Sequence, residues 1–277
     1  MPERTKTLRI YDSDRHGLKW LEEAKALWTY RHLVRELITR DIKVRYKRSA
    51  VGVAWTMLSP LLSMVAMTFV FSLVLRAGVP NFPVYFLSGS IFWAFFAQST
   101  GHAASLTFDA LSVTRLIYVP RSAFVMAAIG GGLVNLVFSL VPLAAIILVS
   151  GFPVHISWLF LPVSALLGAC FTAGVGLFIF TLACRFVDVK ETYLVLVGAW
   201  FFVTPIVYKA SLVPGRLRYI IRLNPMTYLV EIFRAPLYDG WLPGWKTLTF
   251  AVVASLASLV VGWLVYAAKI EDYAHRG

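Results

Sequence analysis

Long apolar runs dominate this chain. Six of them stand out, at 51–75, 85–108, 123–149, 156–182, 193–208 and 248–268. A helix needs about 20 apolar residues to cross a ~30 Å hydrocarbon core. Five runs reach that length, and each predicts a membrane span. The run at 193–208 is short, and it becomes a span, 190–208, if its cytoplasmic end starts at Lys190, whose side chain then snorkels to the surface. Pro60, Pro142, Pro162 and Pro205 lie inside runs. Membrane helices tolerate such prolines where neighbours satisfy the freed backbone groups. The fold class expected is all-α integral membrane with six transmembrane helices.

Two of the segments between runs carry patterns of their own. Over 27–48 the apolar residues Leu27, Tyr30, Val34, Leu37, Ile38 and Ile42 recur at three- and four-residue steps, with Arg31, Arg35, Arg40, Lys43, Arg45, Lys47 and Arg48 among them. This predicts a basic amphipathic helix lying in the membrane interface. It serves either to anchor topology or to dock a cytoplasmic partner. The other segment, 209–245, holds two short apolar pieces split by Asn224-Pro225, and neither is long enough to span. The expectation is a re-entrant outer hairpin between spans five and six, which requires burial in protein or a lined cavity. A helix pair lying on the surface is the alternative. The domain reading is a polar, loosely ordered tail at 1–26 followed by one transmembrane domain at 27–277.

Composition agrees with the pattern. Hydrophobic residues make up 59% of the chain and charged residues 14%, against about 45–50% and about 25% in soluble domains. The net charge of +12 would suggest nucleic acid on a soluble chain. Here 13 of the 26 Lys and Arg precede residue 51, just before the first run. Basic charge beside a first span marks a cytoplasmic N-terminus near anionic lipid. With that end inside, 19 Lys and Arg fall on the inner side and 7 on the outer side, and both termini are cytoplasmic. Six of the outer seven crowd into 209–246 and call for a separate reason. The N-terminus is too long and too charged for a cleavable signal peptide, so the first span is expected to be an uncleaved anchor. Cys170 and Cys184 sit on or beside one predicted helix, about 21 Å apart along its axis, too far to pair within it.

The chemistry points away from an enzyme. No G-x-x-x-x-G-K-[ST] motif, metal-ligand spacing or Ser/His/Asp arrangement appears. Gly130, Gly131 and Gly132 lie inside an apolar run and suit close helix packing. The six runs contain no Asp, Glu, Lys or Arg. Ion-coupled carriers place ionisable groups at the midplane, so an external energy source or a passive pore remains. Gln98, His102, Ser105 and Asp109 share one helix face, and Thr56, Ser59 and Ser63 form a second stripe. Either stripe serves interhelical hydrogen bonds or lines a polar path. Aromatics crowd at Phe92–Phe96 and at Trp200, Phe201 and Phe202. They fit packing and interfacial belts, and flat faces would also suit sugar rings.

One group of motifs narrows the class. Residues 40–49 read RDIKVRYKRS and are followed by Gly52, Trp55 and Pro60. Arg185-Phe186-Val187-Asp188-Val189 follows span four, Thr204-Pro205-Ile206-Val207-Tyr208 ends span five, and Asn224-Pro225-Met226-Thr227-Tyr228 leads on to Glu231, Phe233-Arg234 and Asp239-Gly240. In this order they resemble the permease subunits of ABC type-2 exporters of O-antigen, capsular and teichoic-acid polysaccharides. The resemblance runs from about residue 27 to the C-terminus and leaves 1–26 outside.

The resemblance implies a homodimer in the cytoplasmic (inner) membrane, bound to two copies of a separate ABC ATPase subunit. That partner binds ATP and Mg, and this chain carries no cofactor of its own. The cargo implied is a lipid-linked polysaccharide threaded between the two permeases. Arg40, Asp41, Lys43, Arg45 and Tyr46 belong to the interface helix. Arg115, Tyr118, Pro120 and Arg121 make the ATPase contact in the 111–121 loop, with Arg185 and Asp188 in a second cytoplasmic turn. Asn224, Pro225, Tyr228, Glu231 and Arg234 build the outer gate, and its basic charge would attract pyrophosphate or acidic sugars. Trp55, Ser59, Gln98, His102, Trp200, Phe201 and Tyr208 are candidates for lining the channel. A small-molecule exporter of the same fold and a passive channel without an ATPase are the competing classes.

Overall fold

Every regular element among the described residues, 19–46, 54–74, 79–106 and 119–274 of a computed structural model, is helical. In chain order they are α1 (Lys19–Thr29), α2 (Arg31–Tyr46), α3 (Ala54–Thr68) with a π-helical turn Phe69–Val74, α4 (Phe82–Ser105), α5 (Ser122–Val149) and α6 (Leu161–Ala183). After these come α7 (Val189–Val203), α8 (Leu217–Leu223), α9 (Pro225–Arg234) and α10 (Trp245–Ala274). Among the described residues, three segments are long and apolar enough to cross a membrane: Ser122–Val149, Ile156–Ala183 and Trp245–Lys269.

The core forms around α4. Its faces carry Phe82, Phe86, Phe92, Phe95 and Phe96, all nearly fully buried, and it packs against α3, α5, α6, α7 and α9. Asn81 starts the helix in the left-handed region (φ 44°), which Asn tolerates better than most side chains, and Pro83 sits in the first turn.

Small residues bring the long helices together. On Gly174 of α6 a Cβ would collide with the α10 backbone at Ser258 and Leu259, and on Gly262 it would collide with the Gly174 carbonyl. The Ser258 hydroxyl donates to the Phe171 carbonyl at 3.0 Å across the same seam. Two backbones can approach this closely only where side chains are small, the usual basis of helix association in lipid. The glycine run in α5 has the expected role. Gly130 faces Ile38 of α2, and Gly132 faces Ser99 and Phe95 of α4.

Three expectations change. The expected tail is already helical from Lys19, because α1 docks on α5 and α10. The amphipathic segment is two helices rather than one, with a turn at Tyr30 between α1 and α2, and Lys47 and Arg48 lie outside the described residues. The helix of the fifth run, α7, has only 15 residues and stops at Val203. Thr204 is extended (φ −91°, ψ 132°) since Pro205 disfavours the helical conformation in the residue before it.

The 209–245 segment holds α8 and α9 around Asn224, then a π-helical turn Ala235–Asp239 ended by Gly240 in the left-handed region (φ 73°). The two helices differ in burial. In α9, Met226, Leu229, Val230, Ile232 and Phe233 are buried against α4, α6 and α10, whereas α8 exposes Tyr219, Ile220 and Leu223.

Candidate functional site at the broken end of α7

The break at Pro205 leaves a non-helical stretch, 204–208, after the end of α7. Two side chains from the 224–234 segment hold it. Arg234 donates from Nη1 to the Pro205 carbonyl at 2.9 Å and from Nη2 to the Ile206 carbonyl at 3.1 Å. Its guanidinium carbon lies 3.9 Å from the Tyr85 ring centroid, and the residue is only 7% exposed. Gly89 makes the room, for a Cβ there would collide with the guanidinium. The Tyr85 hydroxyl donates to the Tyr208 carbonyl at 2.9 Å, so the same ring that carries the cation also holds the far end of the unwound stretch. Tyr238 packs edge-on to Tyr85 at 5.2 Å.

Asn224 holds the other side. Its Oδ1 accepts the Met226 N–H at 3.0 Å, capping α9, and the Trp200 indole N–H at 2.9 Å. Its Nδ2 donates to the Thr204 hydroxyl at 2.9 Å. One amide thus joins the start of α9 to the last turn of α7. A planar guanidinium matches two adjacent carbonyls in a way that a lysine cannot, and buried polar groups need such partners. Chemically, the arrangement is a latch: a buried cation and a buried amide hold a non-helical backbone segment against α4 and α9.

The geometry corrects one expectation about charge. The spacing of Glu231 and Arg234 suits an ion pair along a helix face. Arg234 instead turns to the Pro205 and Ile206 carbonyls and Tyr85, while Glu231 is exposed. Pro225 occupies the first helical position of α9, and the Tyr228 hydroxyl donates to the Arg222 carbonyl at 2.8 Å.

A family model described as "ABC-2 type transporter" matches residues 32–238, most of the chain and all of this site. The chain belongs to the ABC-2 type transporter family. This ABC-2 chain is also similar to the O-antigen export system permease protein RfbA of Myxococcus xanthus, 28% identical over 90% of the chain and 97% of the relative. RfbA of Klebsiella pneumoniae is 26% identical over 83% and 89%. The polysialic acid transport protein KpsM of Escherichia coli is 19% identical over 86% and 93%.

The remaining candidate residues of this ABC-2 chain fall in several places. Arg115 and Tyr118 lie outside the described residues, as do the side chains of Arg45, Tyr46 and Trp55. Pro120 is buried just before α5, and Arg121 is half-buried at its N-cap. Arg185 and Asp188 are exposed in the turn before α7, with the Arg185 guanidinium 5.2 Å from the Phe186 ring centroid. Arg40 pairs with Asp41 at 3.0 Å, and Lys43 is exposed. His102 lines a small cleft with Asp41 and Asn135, between α2, α4 and α5.

The channel candidates do not act alike. Ser59 and Gln98 are exposed. Trp200 and Phe201 pack edge-on to Trp93, at 6.0 and 5.8 Å, and the Tyr208 hydroxyl donates to the Phe202 carbonyl. Of these side chains, Trp200 touches the latch, through its bond to Asn224.

Sequence reasoning missed Tyr85 and Gly89 as parts of this site. Gly89 is one of two glycines in α4, a weak signal. Nothing in the spacing linked it to a residue 145 positions away.

Proposed function

We propose that this chain is the transmembrane subunit of an ATP-driven exporter of a lipid-linked cell-surface polysaccharide, working in the cytoplasmic membrane. What carries the reading is that the relatives above, named for export of O-antigen or transport of polysialic acid, align over at least 83% of the chain. Two copies of the chain form the path, with six spans each, as one transmembrane domain at 27–277. Both termini are cytoplasmic. Two copies of a separate ABC ATPase bind and hydrolyse ATP. The 111–121 loop and the turn at Arg185–Asp188 receive their motion, with α2 resting on the ATPase. The re-entrant pair α8–α9 is the outer gate, and the Arg234–Asn224 latch holds it shut. The buried face of α9 supports the re-entrant reading over a surface-lying pair.

The test is a deletion complemented in the native host. Loss of the gene should remove the glycan from the cell surface and accumulate it, lipid-linked, inside. Charge reversal at Arg115 and Arg121 should leave the protein in the membrane and reproduce that block. Full surface glycan in the deletion strain would refute the reading.

A further inference from the structure

At the end of the molecule opposite the latch, three distant parts of the chain meet at one carboxylate oxygen. Glu23 of α1 accepts, at Oε1, the Ser122 hydroxyl at 2.6 Å and the Tyr266 hydroxyl at 3.0 Å. The Ser122 N–H donates to the Tyr266 oxygen at 2.9 Å, which closes the triangle. The Trp263 indole N–H adds a bond to the Trp20 carbonyl at 3.2 Å. Ser122 and Tyr266 are essentially fully buried. Buried hydroxyls and a buried N–H at a helix start need partners; the N–H takes the tyrosine oxygen, and the two hydroxyls share one acid from a helix that precedes the stretch the family model matches.

Position gives the cluster its meaning. Ser122 is the first residue of α5 and directly follows the loop that ends at Arg121. Tyr266 lies in the last third of α10. We infer that Glu23 is a positioning residue for energy coupling: it locks α1, the head of α5 and the inner end of α10 into one body, so that displacement of the 111–121 loop moves the helices. The inference rests on the ATP-driven reading above. Without the lock, a push on the loop would be absorbed locally at the head of α5, and ATP would be hydrolysed with less export.

The test uses the permease purified with its ATPase subunit, and cells carrying the same variants. ATPase rate and surface glycan, labelled by periodate oxidation and an impermeant hydrazide, give export per ATP hydrolysed. Glu23→Ala should keep assembly and the basal ATPase rate while export per ATP falls about tenfold, a usual size for coupling between sites. Glu23→Gln should stay within about threefold, a neutral acceptor being only moderately weaker than a charged one. Both bonds fall on the one oxygen that glutamine retains. Tyr266→Phe, which keeps the ring and loses the hydroxyl, should fall as Glu23→Ala does, and it carries the test if the alanine variant fails to assemble. A merely structural role would lower assembly and ATPase together and leave the ratio unchanged, and that result overturns the inference. So does a wild-type ratio in Tyr266→Phe. If the wild-type complex itself exports without ATP hydrolysis, the ATP-driven reading fails and the inference falls with it. A coupled wild type beside an equally coupled Glu23→Ala overturns the inference alone.

Discussion

Truncating Arg234 to alanine tests the latch most directly. Two charge-assisted bonds at 2.9 and 3.1 Å disappear, together with a cation held 3.9 Å from the Tyr85 ring centroid. Each orphaned buried carbonyl costs about 1–3 kcal/mol. Losing a desolvated cation–π contact adds about 1–2 kcal/mol. Removing a buried charge also relieves its desolvation penalty, which offsets part of the loss. The expected net destabilisation is about 2–5 kcal/mol, the usual range for breaking a buried polar network. For a chain of this size that corresponds to roughly 5–15 °C in midpoint, at about 2–4 °C per kcal/mol. Arg234→Lys keeps the charge but cannot reach both carbonyls in a fork, and should lose about half as much. Glu231→Gln should stay within about 0.5 kcal/mol, as an exposed substitution does. Thermal unfolding of the three variants in nanodiscs, read with surface glycan in complemented cells, decides the matter. If Arg234→Ala melts within about 1 °C of wild type, or if Glu231→Gln is the more damaging change, the latch geometry is wrong.

Asn224→Ala should cost about 2–4 kcal/mol, because it removes a helix cap and two further buried bonds; thermal unfolding with near-wild-type stability would contradict this. Gly262→Leu should prevent α6 and α10 from meeting and abolish folded protein on size-exclusion chromatography, whereas Gly198→Ala, with nothing within 4 Å, should behave as wild type. A cysteine placed at Asn81 or Gly215 should react with an impermeant thiol reagent from outside intact cells, and one at Arg121 or Arg276 should not; the reverse pattern would invert the proposed topology.

Much of this protein could be read along the chain. Apolar runs of about 20 residues mark helices in lipid because every backbone group there must be satisfied within the segment. That is why 123–149 and 156–182 coincide closely with α5 and with the short 3-10 helix Ile156–Phe160 that runs into α6. The break at Asn224-Pro225 was equally legible, since proline at a first helical position after an Asn cap is a local rule. The motifs from 40–49 to Asp239-Gly240 carried the family, and the match over 32–238 agrees with it.

Partner choice was not legible. Along α9 the acid three residues from Arg234 is the obvious partner, and local spacing says nothing of the Pro205 and Ile206 carbonyls almost thirty residues earlier. The fifth run looked like a span to Tyr208 because hydropathy does not register where a proline ends the hydrogen-bond ladder. Glu23 belongs to the stretch expected as a polar tail, and its role exists only because α5 and α10 bring Ser122 and Tyr266 to it. Periodicity and propensity act over a few residues. Which buried donor meets which acceptor depends on helix packing, which close backbone approach at Gly174 and Gly262 and side-chain room at Gly89 make possible.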